Sequence, residues 1–307
     1  MKIIRAEHLG MCFGVRDASA LALKQSEYGP ITILGDLVHN ETVLAELRDR
    51  GVQVENDAQN VMTRTVMVTA HGTSVRRMNA ARELGLNVLS AACPLVQVAH
   101  RAVKQLAREG FHPVIIGMHD HVEVRGLTED LDEFDVVLNE DDVLRLRPRP
   151  RLGIAAQTTQ PLEKVHYLAS LIRETFPDSE VRFVDTVCQP TKDRQIAAIK
   201  MAQHCDIVIV IGGTQSNNTR ELVQTCSRFC QHVHHIQTAA DLCEEWFRAD
   251  DSVGITAGTS TPDQVVAEVE RDIRAMDDRR NFLPKNPVLD VSSRSWSPGG
   301  SYLVLRQ

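Results

Sequence analysis

Short apolar runs alternate with amphipathic stretches along almost the whole of this chain, and that alternation constrains its fold more than any other feature. Strand-like runs are ITILGDLV (31–38), TVMVTA (65–70), LNVLSAA (86–92), PVIIGM (113–118) and DVVLN (135–139). They continue with LGIAAQ (152–157), VRFVDTV (181–187), DIVIVIG (206–212), HVHHI (232–236) and VGITAG (253–258). Between them lie NETVLAELRDR, SVRRMNAARELG, PLVQVAHRAVKQLAREG, PLEKVHYLASLIRETF, NNTRELVQTCSRF and PDQVVAEVERDIRAMDD. In the last, Val265, Val266, Val269 and Ile273 share one face at helical spacing. Strands apolar on both faces and separated by helices imply parallel sheets covered by helices. The expected fold class is α/β. Hydrophobic residues make up 43% of the chain but aromatics only 4%, so the core must rest on Val, Ile, Leu and Ala.

Three of the seven cysteines stand at the same point of this pattern. Cys12, Cys93 and Cys188 each follow a strand-like run and precede a helical one: KIIRAEHLGMC then FGVRDASALALK, LNVLSAAC then PLVQVAHRAVKQLA, VRFVDTVC then QPTKDRQIAAIKMAQ. They are 81 and 95 residues apart, a crude threefold repeat of one small α/β unit. The expected organisation is three units, 13–92, 93–187 and 188–278, with segments 1–12 and 279–307 packing on the body. Ligands of open parallel sheets sit beyond the carboxyl ends of strands, so three such points can converge on a central site. The odd cysteine count and the absence of any CxxC pair disfavour a disulfide framework and exclude a zinc ribbon or a ferredoxin-type run. Cys205, Cys226, Cys230 and Cys243 read as core residues, and RLRPRPR (145–151) as a solvated connector.

The net charge of −7 argues against nucleic acid as a partner. No apolar run reaches the ~18 residues of a membrane helix, and MKIIRAEHLGMCFGV does not read as a secretory signal, so a cytoplasmic protein without a membrane partner is expected.

Several strand ends open into small polar turns: LVHN, TAHGTS, GMHDHVE, AQTT, GGTQSNNT and AGTSTPD. Such turns before a helix expose N–H and hydroxyl donors where the helix adds positive potential, which suits phosphate oxygens. Each alone reads as an ordinary helix cap, with Ser74, Ser216 and Thr261 the capping residues. Together with His39, His71 and His121 they point to a small phosphorylated ligand. None is a Walker loop or a GxGxxG, so a nucleotide is not indicated. His119, His121 and Glu123 alternate as metal ligands on one side of a strand would; the favoured reading puts His121 on a phosphate and makes Glu123 a proton donor.

Taken in order, GMCFGV, VHNETV, TAHGTS, AACPLV, HVEVRG, AQTT, VDTVCQPTKDRQ, SNNT and AGTSTPD resemble the family of iron–sulfur reductases of 4-hydroxy-3-methylbut-2-enyl diphosphate, the last enzyme of the non-mevalonate isoprenoid pathway. The resemblance implies a trefoil of three α/β units around a central cavity. It implies a [4Fe–4S] cluster on Cys12, Cys93 and Cys188, with one iron not ligated by protein. It places the diphosphate of a small allylic substrate on His39, His71, His121, Ser216, Asn218 and Ser260, with Asn217 and Ser74 as candidate neighbours. Thr158 resembles the residue beside the substrate hydroxyl, and Glu123 the one that delivers protons. The products implied are isopentenyl and dimethylallyl diphosphate, and the electron donor an external ferredoxin or flavodoxin. The chain departs from the family pattern at Val122, where proline is usual, at Pro190 between Cys188 and Thr191, and at Asn217, where serine is frequent. Three rivals stand beside this reading: a paralogue acting on another allylic or phosphorylated compound, a non-catalytic cluster-binding redox protein, and a zinc-stabilised binding protein.

Overall fold

The computed structural model describes residues 1–282, and the twelve strands within them form three four-stranded parallel sheets. The first sheet contains β2 (Ile31–Leu34), β3 (Gln53–Glu55), β4 (Thr65–Val68) and β5 (Asn87–Ser90), in the order β3-β2-β4-β5. The second contains β6 (His112–Ile116), β7 (Asp135–Val137), β8 (Arg151–Ala156) and β9 (Glu180–Phe183), ordered β7-β6-β8-β9. The third takes β10 (Ile207–Ile211), β11 (His232–Ile236) and β12 (Ser252–Ala257), and its remaining edge is β1 (Lys2–Arg5) beside β12. One strand order thus recurs three times, with β1 in the place of β5 and β9. The hydrogen bonds that follow these edge strands repeat as well: Ala6 N–H to Ile255 O (2.9 Å), Ala91 N–H to Val68 O (3.0 Å) and Val184 N–H to Ile154 O (2.8 Å).

The strands form where β-branched residues face two cores in alternation. Ile207, Ile209 and Ile211 pack on one side of the third sheet against α10 (Asp263–Phe282), while Val208 and Val210 pack on the other. In the second sheet Val114 and Ile116 lie in one core and Ile115 in another. Burial of each such side chain contributes about 1.5–3 kcal/mol. The face expected on α10 is the buried one, with Val265, Val266, Val269 and Ile273 at 5% exposure or less.

Helices leave the carboxyl ends of the strands in three recurring classes, besides the short α6 (Glu140–Leu144) that follows β7. After the first strand of each unit come α2 (Glu41–Asp49), α5 (Val122–Thr128) and α9 (Asn217–Ser227). After the third come α3 (Val75–Glu83), α7 (Leu162–Thr175) and α10. After the fourth come α1 (Phe13–Ser26), α4 (Pro94–Arg108) and α8 (Gln189–Ala202), each entered directly from a cysteine.

The structure corrects the sequence reading at particular places. Strand β3 was not expected. The strand that the disfavoured metal-ligand reading of His119, His121 and Glu123 required is not present, since His121 to Thr128 form the cap and body of α5. Cys226 and Cys230 are buried and Cys205 partly so, but Cys243 is exposed. Helix α10 continues through Arg279 to Phe282, and the rest of the expected tail, 283–307, lies outside the described residues. No helix among the described residues is long and apolar enough to cross a membrane.

Candidate active site

Each of the three cysteines is the N-cap of its helix and is pinned to the turn after the third strand of its own sheet. Cys12 N–H donates to Thr259 O (2.9 Å), Cys93 N–H to Ala70 O (3.0 Å) and Cys188 N–H to Thr158 O (3.0 Å). Caps such as Asn40, Ser74 and Ser216 accept an N–H of the helix they begin, whereas none of the three cysteines makes a side-chain cap bond. Gly14, in the first turn of α1, shows how closely the segments meet: a Cβ there would lie 2.5 Å from Cys93 Sγ.

Burial raises the pKa of Cys93, and pushes Cys188 up to about 11 although Thr191 Oγ1 lies 3.1 Å from its sulfur. Cys12 and Glu123 each repel a negative charge on both. Soft donors at Cys93 and Cys188 whose ionisation is disfavoured by burial suit a positively charged, thiophilic group. The three sulfurs do not all lie within 4.8 Å of one another; among the described residues the set of three that meets that limit is His39, His71 and His121. As placed, the three thiols do not close on a single ion.

The histidines come from three different turns. His39 and His71 stack with ring centroids 4.5 Å apart, and His121 meets them edge-on at 5.3 and 5.5 Å. Burial lowers the pKa of all three, His71 well below the usual value and His121 to about 3. They are neutral imidazoles at neutral pH. His121 Nδ1 accepts from Glu123 N–H (3.1 Å), so its proton belongs on Nε2. His39 Nε2 and His71 Nδ1 are buried with no partner. Buried polar atoms left without partners mark a place prepared for a ligand.

Ser216, Asn217, Asn218 and Ser260 line the same cavity. Asn217 Nδ2 donates to Thr159 Oγ1 (3.1 Å), Asn218 Oδ1 accepts from Thr259 N–H (2.9 Å), and Asn218 Nδ2 is another buried donor without a partner. Ser260 Oγ donates to His39 O (3.3 Å). Gly213 admits this approach, since a Cβ there would stand 2.3 Å from His39 O. The cavity is small, about 30 Å³.

Glu123 links this cavity to the thiols. It is 1% exposed; Oε1 accepts from Thr158 N–H (2.6 Å) and Oε2 from Thr158 Oγ1 (3.0 Å). Burial pushes its pKa up to about 7, against the pull of the two Thr158 bonds. A carboxyl group with that pKa can both give and take a proton near neutrality.

A family model described as LytB protein matches residues 3–274. The chain belongs to the LytB family. It is 37% identical over 282 residues to the 4-hydroxy-3-methylbut-2-enyl diphosphate reductase of Geobacter sp. (strain M21), covering 90% of this chain and 98% of the relative. It is 37% identical over 280 residues to the reductase of the same name from Aquifex aeolicus (strain VF5), covering 89% and 96%. The solved E-1-hydroxy-2-methyl-but-2-enyl-4-diphosphate reductase of Plasmodium falciparum aligns with a TM-score of 0.83 at 26% identity, over 89% of this chain and 87% of that one. A second solved structure, described as (E)-4-hydroxy-3-methyl-but-2-enyl diphosphate reductase, the terminal enzyme of the non-mevalonate pathway, aligns with a TM-score of 0.63 at 34% identity, over 89% and 99%. The three-sheet arrangement is the LytB trefoil.

Within this LytB chain some expected residues stand apart from the site. His119 is exposed and bonds Asp120 (3.0 Å), so it shares no face with His121 and Glu123. Ser74 caps α3 and donates to Glu129 (2.8 Å) rather than lining the histidine cavity. Thr261 does not cap α10; its Oγ1 donates to Ile211 O (3.0 Å). Thr159 and Thr259 line the cavity although sequence reading did not single them out. Their signal was present, since each sits in a polar turn at the end of the third strand of its unit.

Proposed function

We propose that this LytB chain removes the hydroxyl group of 4-hydroxy-3-methylbut-2-enyl diphosphate by two-electron reduction, giving isopentenyl and dimethylallyl diphosphate and releasing water. The observation that carries this reading is the adjacency of three different chemistries: three uncapped thiols, a buried carboxyl group near pKa 7, and a cavity of unpartnered donors. A [4Fe–4S] cluster held by Cys12, Cys93 and Cys188 would supply electrons and, at an iron without a protein ligand, Lewis acidity.

The chain's own residues do the rest. His39, His71 and His121, with Ser216, Asn218 and Ser260, hold the diphosphate, Asn217 being steadied by Thr159. Thr158 orients the Glu123 carboxyl and stands beside the substrate hydroxyl. Glu123 protonates the departing oxygen, and the carbon skeleton takes a second proton, so two electrons and two protons balance the loss of water. An external ferredoxin or flavodoxin supplies the electrons, and the protein works in the cytoplasm. The units 13–92, 93–187 and 188–278 each bring one wall to the site, the third completed by the segment preceding Cys12. A pure electron carrier would need neither the histidine cavity nor a buried proton donor, which favours catalysis. Anaerobic turnover of the diphosphate substrate with an artificial reductant is the direct test, and iron-loaded protein without turnover would overturn the proposal.

The anion cavity carries its own expected result. His71→Asn should bind inorganic pyrophosphate about ten- to a hundredfold more weakly in a calorimetric titration, the value of one hydrogen bond to a charged group. The pH dependence has a definite sign. Burial keeps the free histidines neutral, and a bound anion favours their protonated forms, so binding takes up protons. Affinity should rise as pH falls through the neutral range, more steeply in the parent than in the variant. Equal affinity and equal slope would place the anion elsewhere.

A further inference from the structure

Arg194 is a buried cation that the proposed reaction leaves without a task. It lies on α8, six residues beyond Cys188, and is 8% exposed. Each nitrogen of its guanidinium donates one hydrogen bond, to carbonyls alone: Nε and Nη2 to Gly10 O (3.0 and 2.6 Å) and Nη1 to Pro190 O (2.9 Å). No carboxylate pairs with it among the described residues. Burying a charge is costly unless an opposite charge compensates it. The groups whose negative charge would favour its own are the thiols of Cys12 and Cys188, then Asp193 and Asp263. Its two carbonyl partners lie two residues before Cys12 and two residues after Cys188. One side chain thus joins the backbone approaches to two thiols that are far apart in sequence, and brings a fixed positive charge near both.

We infer that Arg194 is the counter-charge of the group held by Cys12 and Cys188 and sets how readily that group accepts an electron. The inference rests on the cluster reading above. An added electron makes the thiolate-bound group more negative, and a permanent cation in a desolvated position favours that state. Arg194 is a positioning residue in this sense: it touches neither substrate nor proton, and acts through the group beside it.

The test uses the full-length chain reconstituted anaerobically with iron and sulfide, as wild type, Arg194→Lys and Arg194→Gln. Iron and sulfide are counted, and the midpoint potential is read by redox titration of the visible spectrum. The glutamine variant should be about tenfold less reduced at a given solution potential, a shift of about 59 mV for one electron. The lysine variant, which keeps the charge but not the fork, should titrate close to wild type. An iron-loaded glutamine variant with the wild-type potential overturns the inference, as does a lysine variant shifted as far as the glutamine one. If the glutamine variant holds no iron, the lysine variant decides: loaded with a near-wild-type potential it upholds the counter-charge, and empty or shifted it shows the fork to be a structural clamp. Failure of the underlying reading would look different, because the wild-type chain itself would then hold no iron.

Discussion

Cys93→Ser should leave a folded protein that retains little or no iron after anaerobic reconstitution and shows no measurable turnover. Serine replaces a soft, ionisable sulfur with an oxygen that thiophilic metals prefer far less. It would still begin α4, because Cys93 makes no side-chain cap bond and its N–H to Ala70 O is unaffected. Cys12→Ser and Cys188→Ser should behave alike, since all three occupy one structural position in their units. The same change at Cys205, Cys226, Cys230 or exposed Cys243 should leave the iron content near wild type. Iron and sulfide per chain, read beside far-ultraviolet circular dichroism, make the comparison. A Cys93→Ser protein with a full complement of iron and normal activity would remove the cysteines from the site.

Glu123→Gln should keep the iron, bind the diphosphate about as well, and lose on the order of a hundredfold or more in turnover, the usual scale for a positioned acid. The amide preserves shape: its oxygen can accept Thr158 N–H, and its nitrogen can donate to Thr158 Oγ1. What it cannot do is cycle a proton. The stability of the two proteins should diverge with pH in a fixed direction. The native carboxyl group has its pKa raised from 4.5 to about 7, so its contribution is fully present below about 4.5 and is lost as pH rises through 7. The glutamine variant is spared that loss, so denaturant midpoints should favour it increasingly from about pH 4.5 to 7 and by a constant margin above. Near-normal turnover in Glu123→Gln would mean that another group supplies the proton.

Runs such as DIVIVIG were readable as strands because both faces of β10 are buried and every residue from Ile207 to Ile211 is apolar. β3 gave no such signal: Val54 is the sole apolar residue in Gln-Val-Glu, and the strand depends on pairing with β2. The HVEV segment was ambiguous because its alternation imitates a strand, while a helix of seven residues is too short to establish a 3.6-residue period. For the site, residue types were readable and their partners were not. Ser74 and Ser216 look alike as Ser before a helix, yet Ser74 is drawn to Glu129, 55 residues away. Nothing in KDRQ marks Arg194 as buried, because its burial depends on Gly10, 184 residues earlier in the chain. Long-range contacts of this kind leave no local periodicity to read.

The edge strand β1 has a consequence for the order in which the molecule is made. Lys2 lies opposite Ser252, so β1 cannot pair until about 250 further residues have been synthesised. At typical rates of translation that interval is roughly tens of seconds. The first and second sheets close from nearby segments, whereas Cys12 is pinned only when Thr259 arrives. The earliest of the three thiols to be synthesised is thus the last to reach its place. A nascent chain can offer two anchored sulfurs to incoming iron, but the third only once β12 has folded. Metal loading under the proposed ligation is therefore a checkpoint on the folding of β12, and a product truncated before Thr259 has no finished binding site.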